Sequence, residues 1–106
     1  MLSRYRLLRQ AEEELHEIRK RYDDERAGSG YEFFERFEAT AQYAMRFPSA
    51  GAIVIDPELE LQVRRFRIKP FRHRLITAVH DEQLVVIAIA HPSRDPGYWA
   101  ARLDEL

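Results

Sequence analysis

The sequence predicts an α+β fold, in which an N-terminal strand and a helical hairpin pack on a small, mainly antiparallel sheet, followed by a short C-terminal helix. In the first half, apolar residues recur at the spacing of amphipathic helices. In the second half, short runs rich in β-branched residues alternate with turn signals, which is typical of strands. The chain has 106 residues, which suits a single domain over residues 1–106.

The N-terminal segment predicts a strand followed by a helix. Tyr5 and Leu7 alternate with arginines, which favours a short strand. From Gln10 the period changes to that of a helix, which we expect to end near Glu25 or Arg26. The apolar residues that define this first helix are Ala11, Leu15, Ile18 and Tyr22.

A second helix is predicted after the break at Gly28-Ser29-Gly30. Ser29 and Glu32 have the spacing of a capping box, in which each side chain satisfies a free amide at the helix start. Pro48 disfavours helical geometry at Phe47, so the helix should end before that residue. Its predicted core residues are Phe34, Phe37, Ala41, Ala44 and Met45. Two helices joined by a short turn form an αα-hairpin.

The remaining elements are predicted to be strands and a terminal helix. The loop from Ser49 to Glu60 contains a possible extended piece, Ile53-Val54-Ile55, and a turn is expected at Asp81-Glu82-Gln83. The run Leu84–Ala90 is continuously apolar, as expected for a central strand covered on both faces. The complete order is β-α-α-β-β-β-α, with the last three elements before the tail being strands at Leu61–Ile68, Leu75–Val79 and Leu84–Ala90, and the terminal helix within Gly97–Leu106.

Charge is segregated along the chain. Residues 61–80 carry six basic side chains and no acidic one, although the formal net charge of the chain is only -1. A structural explanation is that these charges protect a sheet edge against unwanted pairing, but lysine and glutamate would do so equally well, and six cations without an acid exceed that need. Mutual repulsion among these cations favours an anionic partner, whereas the near-neutral total argues against indiscriminate nucleic-acid binding. The six residues are Arg64, Arg65, Arg67, Lys69, Arg72 and Arg74.

Several classes of protein are disfavoured by composition. The chain has no cysteine, which excludes disulfides, thiolate nucleophiles and cysteine-based zinc sites. His16 lacks a ligand partner at helical spacing and His80 precedes a turn, so we expect no metal and no cofactor. The N-terminus lacks the apolar stretch of a signal peptide and no apolar run reaches membrane-spanning length, so we expect a cytoplasmic protein without membrane contact.

Four motifs give the chain a resemblance to the RelE/ParE superfamily of small bacterial toxins from type II toxin–antitoxin systems. Phe47–Gly51 is similar to the family's exit from the helical hairpin, and Arg64-Arg65-Phe66 to the opening of its basic sheet. Arg74–Val79 resembles the central strand. The segment from His91 to Arg102 resembles the ParE-type ending, with His91, Arg94, Pro96, Tyr98, Trp99 and Arg102 at the matching positions.

The ParE-like branch is the closer match, and the resemblance implies a toxin that inhibits DNA gyrase without catalytic chemistry of its own. It also implies a hetero-oligomeric complex with a cognate antitoxin, whose acidic residues could pair with the basic strand. A protein that has lost toxicity and only binds an antitoxin is a further alternative. The residues we expect to contact the antitoxin or target are Arg64, Arg65, Arg67, Arg72, Trp99 and Arg102.

The RelE-like branch implies a different activity, ribosome-dependent cleavage of mRNA. Arg74 would hold the phosphate, while His91, Arg94 and Tyr98 would supply acid–base catalysis and charge stabilisation. His91 is the one readily titrating group of the four. Structural roles are the alternative: His91 as a hydrogen-bonding residue, Tyr98 and Trp99 as a cover for the sheet end, and Arg94-Asp95 and Arg102 as solvated ion pairs. Whether the chain is an enzyme stays open at this point.

Overall fold

The computed structural model describes residues 1–54 and 61–106, and it confirms the predicted α+β fold. Ile53 lies in a strand as predicted, whereas Ile55 falls outside the described residues. The elements are β1 (Tyr5–Leu7), α1 (Arg9–Glu25), α2 (Ser29–Arg46), β2 (Ala52–Ile53), β3 (Val63–Arg67), β4 (Arg74–His80), β5 (Gln83–Ala90) and a C-terminal 3₁₀ helix (Ala100–Glu105).

The strands form one sheet in the order β1-β5-β4-β3-β2. β1 runs parallel to β5, and every other neighbouring pair is antiparallel. β5 therefore lies inside the sheet, and its residues Leu84–Ile89 are buried. Burial on both faces explains why this strand reads as an uninterrupted apolar run.

The two faces of the sheet have different covers. The helical hairpin packs on one face, where Phe33 and Phe37 of α2 join Leu75 and Leu84 of the sheet. The C-terminal segment packs on the other face, where Trp99 contacts the cluster formed by residues such as Ile87. Both faces are thus protected, one by two long helices and the other by a short terminal segment.

The turn between the helices differs from the predicted capping box. Gly28, with φ of 91°, precedes α2, and neither Ser29 nor Glu32 caps the helix with its side chain. Asp23 Oδ1 instead accepts hydrogen bonds from the amides of Gly28 (3.2 Å) and Gly30 (2.9 Å). Ser29 is buried, and the carboxylate at the start of α2 comes from the end of α1. A Cβ at Gly30 would lie 2.4 Å from the carbonyl oxygen of Arg19, so this close approach requires glycine.

The turn between β4 and β5 and the start of the C-terminal helix both differ from the sequence prediction. Asp81 and Glu82 both have positive φ, 50° and 62°, as in a two-residue hairpin turn whose twist matches that of the strands. Gln83 consequently belongs to β5 rather than to the turn. At the C-terminus, the predicted helix is a 3₁₀ helix that begins only at Ala100, and Gly97, with φ of 76°, lies outside it.

None of the helices in residues 1–54 and 61–106 is both long enough and apolar enough to cross a membrane.

Candidate functional site

A cationic groove lies between α2 and the β3–β4 side of the sheet, with a cavity volume of about 740 Å³. β2 pairs with β3 only through Arg64 and Arg65, so the end of β3 at Arg67 lies beyond the reach of this neighbour. The floor contains Tyr43 and Phe66, whose rings are 6.2 Å apart. The basic residues lining the groove are Arg36, Arg65, Arg67, Lys69 and Arg74.

No acidic side chain lines this groove among the described residues. Within residues 1–54 and 61–106, its basic side chains also have no carboxylate oxygen within 4.0 Å. Exposed apolar side chains extend the surface near it, because Tyr43, Phe47 and Ile53 are each about half exposed. The groove therefore combines positive charge with accessible apolar area, which suits an anionic and partly apolar partner.

A smaller cavity of about 170 Å³, here termed the C-terminal pocket, lies where β4 meets the turn after β5. It brings together all four residues of the predicted catalytic set, Arg74, His91, Arg94 and Tyr98. Arg65 and Arg74 line both this pocket and the cationic groove, so the two cavities share a wall.

The polar groups of the C-terminal pocket are partly engaged by their own neighbours. His91 Nδ1 accepts a hydrogen bond from the amide of Ser93 at 3.1 Å, and its distance to Ser93 Oγ is 2.7 Å. The Arg94 guanidinium lies 4.0 Å from the centroid of the Tyr98 ring, a cation–π contact. Tyr98 Oη donates to Glu14 at 2.6 Å. Burial and this hydrogen bond raise the pKa of Tyr98 well above its ordinary value, so the phenol stays protonated.

Glu14 of α1 also pairs with Arg102 of the 3₁₀ helix. The two guanidinium nitrogens donate to its two carboxylate oxygens at 2.9 and 3.1 Å. Both side chains are about 15% exposed, so this pair is largely shielded from solvent. Burial lowers the pKa of Arg102, but the hydrogen bond and charge of Glu14, together with the nearby Tyr98 and Glu105, raise it. The prediction that Arg102 forms a solvated ion pair is therefore wrong.

A second histidine, His73, lies beside His91, with ring centroids 5.1 Å apart. His73 is only 6% exposed, and its Nδ1 has no hydrogen-bond partner among the described residues. Burial, followed by the charge of His91, lowers the pKa of His73 to about 4. The ring is therefore neutral at physiological pH. Among the described residues, no group of three or more histidine or acidic side chains is placed to hold a metal ion.

Acidification is expected to destabilise the fold through His73. An unfolded histidine has a pKa of about 6.5 and takes up a proton between pH 6.5 and 4, whereas folded His73 does not. Lowering the pH in this window therefore favours the unfolded chain, by about 2 kcal/mol between pH 7 and pH 5. Urea unfolding at both pH values should show a smaller loss for His73→Phe. An equal loss in that variant would assign the acid sensitivity to other groups.

The structure separates the predicted binding residues into engaged and accessible ones. Arg64 donates to the carbonyls of Ser49 and Gly51, each at 2.8 Å, and so fixes the loop before β2. Trp99 is 4% exposed and belongs to the core. Arg72 is exposed and lies outside both cavities, whereas Arg65 and Arg67 line the groove. The binding roles of all these residues stay predictions, and the accessible arginines are the best placed to fulfil them.

Two residues of this region were missed by the sequence reasoning. Glu14 follows Ala11 by three residues and precedes Ile18 by four, so helical spacing already placed it beside the buried stripe of α1. The sequence spacing therefore already indicated that Glu14 lies near the core. No sequence pattern indicated a role for Arg36, because its position against β3 depends on how the hairpin packs on the sheet.

The fold and the site define a small α+β protein with a cationic surface suited to an anionic partner. Comparison with protein families gives the more specific result. The family of the ParE toxin of the type II toxin–antitoxin system, parDE, matches residues 5–96. The chain therefore belongs to this family of toxins. The comparison with curated proteins gives no match.

Proposed function

We propose that this chain is a toxin that inhibits DNA gyrase and is neutralised by a cognate antitoxin in a hetero-oligomeric complex. The observation that carries the proposal is the family match over residues 5–96, which covers most of the chain. Two side chains of the C-terminal pocket, Tyr98 and His91, are engaged in hydrogen bonds within the protein, which supports inhibition by binding. Tyr98 is held as a neutral donor to Glu14, and His91 uses Nδ1 to accept from Ser93.

The antitoxin half of the proposal is supported by the cationic groove. Exposed ion pairs contribute little individually, about 0.2–1 kcal/mol each, so charge alone does not give a tight complex. The half-exposed side chains of Tyr43, Phe47 and Ile53 supply apolar area that a partner can bury, while the arginines set the orientation and charge preference of that partner. An acidic amphipathic segment of the antitoxin fits both requirements, whether it binds as a helix or as an added strand beside the end of β3.

The expected result with purified components is inhibition of gyrase. Incubating the chain with gyrase and relaxed plasmid should reduce supercoiling or trap a cleavage complex, because a gyrase poison acts on the enzyme–DNA intermediate. Agarose gels of the plasmid provide the measurement. Pre-incubation with the antitoxin should restore supercoiling, since the complex occupies the toxin before it meets gyrase.

Undisturbed supercoiling with no trapped complex would contradict the gyrase half of the proposal. The RNA-cleaving alternative has one structural observation in its favour, namely that Arg74, His91, Arg94 and Tyr98 line one pocket. Primer extension on translated message distinguishes it, because codon-positioned cuts that disappear in Arg74→Ala would indicate an mRNA interferase. Growth arrest on induction would dismiss the third alternative, a chain that has lost toxicity.

A further inference from the structure

We infer that His73 and His91 form a binding site for a divalent transition-metal ion that prefers imidazole ligands, such as Zn²⁺ or Ni²⁺. The two residues lie at the open end of the β4–β5 pair, His73 immediately before β4 and His91 immediately after β5. A cavity of about 140 Å³, here termed the histidine cavity, is lined by both imidazoles and by residues of α1. Binding of a metal ion here is independent of gyrase and of the antitoxin.

The strand register places the two histidines opposite one another. Arg74 is paired with Ala90, so the next position outward on each strand brings His73 opposite His91. Opposite residues of an antiparallel pair have their side chains on the same face of the sheet, with Cβ atoms about 4.5–5.5 Å apart. This is the face that the helical hairpin covers, because the His73 ring centroid is 5.3 Å from that of Phe33 on α2. No spacing along the chain indicates this pair, since only the register brings it together.

The separation of the two rings matches that of two imidazoles on one metal ion. Their centroids are 5.1 Å apart, with 69° between the ring planes. A tetrahedral ion with metal–nitrogen distances of about 2.0–2.1 Å holds the centroids of two imidazole ligands about 5 Å apart. Edge-to-face packing of aromatic rings gives a similar spacing, so the distance permits a shared ion and does not by itself require one.

The state of His73 is the independent observation that points to a ligand. The side chain is almost fully buried, and its Nδ1 has no hydrogen-bond partner among the described residues. Buried polar atoms in native proteins are almost always paired, so this nitrogen calls for a partner that the described chain does not supply. The ring is also neutral at physiological pH, since burial lowers its pKa to about 4, and the neutral imidazole is the form that binds metal.

His91 has a nitrogen to offer to the same ion. Its Nδ1 faces Ser93, which places Oγ at 2.7 Å and the backbone amide at 3.1 Å. When Nε2 binds a metal ion, the proton of the neutral ring is on Nδ1, and Ser93 Oγ is placed to accept it. A hydrogen bond of this kind fixes the tautomer and the orientation of a metal-binding histidine. The proton moves within the ring, so the step releases none.

The charges around the histidine cavity are balanced. Glu14 and Glu17 of α1 line it together with Arg21 and Arg94, so two carboxylates offset two guanidinium groups. Glu14 is already bound to Arg102, whereas Glu17 is exposed and forms no ion pair within residues 1–54 and 61–106. We therefore expect Glu17 and water to complete the coordination. Imidazole ligands select zinc, copper or nickel over magnesium and calcium, which prefer oxygen.

Isothermal titration of the untagged full chain with ZnCl₂ and NiCl₂ at neutral pH provides the test. The site has two or three protein ligands, against four in a structural zinc site, so we expect one ion per chain with a dissociation constant between about 1 and 200 µM. MgCl₂ should not bind in the same range. Zn²⁺ should also raise the urea midpoint, because a bound ion links the residue before β4 to the residue after β5.

Substitutions of single histidines locate the site. His91→Gln should weaken Zn²⁺ binding at least about tenfold, because it removes one of two imidazole ligands. His73→Phe should weaken it as much and abolish the rise in the urea midpoint. His91 is partly exposed, so His91→Gln gives the decision should His73→Phe fail to fold. The matched controls are His16→Gln, on the exposed face of α1, and His80→Gln, at the opposite end of β4, which should each change the affinity less than twofold.

Binding of either ion with this dependence on His73 and His91 supports the proposed site. The site is ruled out if neither ion binds up to about 1 mM. It is also ruled out if His16→Gln or His80→Gln weakens binding as much as His91→Gln, or if His91→Gln binds as tightly as the unsubstituted chain. Because the gyrase assay is run without added metal, failure of the metal site leaves its outcome unchanged.

Discussion

Replacing Glu14 with alanine is expected to destabilise the protein by about 3–5 kcal/mol, because it leaves a buried guanidinium without its counter-charge. One carboxylate accepts four hydrogen bonds: two from Arg102, one from Tyr98 and one from the amide of Ile89 at 3.1 Å. Alanine would leave each of these donors without its partner in a region that is largely closed to water.

The position of Glu14 on α1, beside the end of β5, explains why so much depends on it. β1 pairs with β5 only from Leu84 to Val86, so β5 continues beyond the end of its neighbour. Side chains take the place of the missing strand there. Glu14 accepts from the Ile89 amide, and Arg102 donates to the Ile87 carbonyl at 3.1 Å. The ion pair therefore completes the hydrogen bonding of the central strand and also attaches the C-terminal segment to α1.

Glu13→Ala is the matched control for this prediction. Glu13 also pairs with an arginine, Arg9, but at 3.5 Å and with both side chains more than half exposed. Such a pair contributes about 0.3–0.5 kcal/mol, so its loss should shift the urea midpoint only slightly. Equal midpoints for Glu13→Ala and Glu14→Ala would show that the buried network contributes no more than a surface ion pair.

The consequences of losing Glu14 should extend to the C-terminal pocket. Tyr98 and Arg94 stack on one another, and the Tyr98 hydroxyl is fixed by Glu14. Tyr98 therefore links α1, through Glu14, to the position of Arg94 in the C-terminal pocket. This link explains how a helix on one face of the sheet determines the position of residues in the turn after β5.

The parts of the fold that could be predicted are those determined by local pattern. The apolar run Leu84–Ala90 indicated a central strand, and Pro48 indicated the end of α2, because burial and proline geometry act on neighbouring residues. The cationic character of β3 and β4 was equally visible. For the site, proximity in sequence indicated that His91, Arg94 and Tyr98 lie in one region.

The parts that could not be predicted depend on contacts between residues that no helical or strand period relates. Asp23 caps the start of α2 because the turn brings it back to Gly28 and Gly30, which the nearby Ser29 and Glu32 pattern obscured. The role of Arg64 was missed for the same reason, since its carbonyl partners lie on the loop before β2, 13 and 15 residues away. Helical and strand periods carry no information about such partners.

The second large effect is expected for Phe33→Ala, which should destabilise the protein by about 3–5 kcal/mol. Phe33 is fully buried among aromatic rings of two other segments, at centroid distances of 5.7 Å to Tyr22, 5.0 Å to Phe71 and 5.3 Å to His73. Truncation removes the buried ring and leaves a cavity that these rigid neighbours cannot close. Urea unfolding at neutral pH measures the change, with His73 uncharged.

Phe34→Ala is the natural comparison, since helical spacing alone predicted Phe34 as the core residue. Phe33 lies four residues before Phe37 and Phe34 lies three before it, so both separations are compatible with one helix face. Phe33 is the buried residue because its ring packs against Tyr22 and Phe71. Phe34 stays partly exposed, with the Arg19 guanidinium 4.5 Å from its ring centroid. Its truncation should cost about 1 kcal/mol. A loss for Phe34→Ala as large as that for Phe33→Ala would mean that α2 is rotated relative to the packing described for the hairpin.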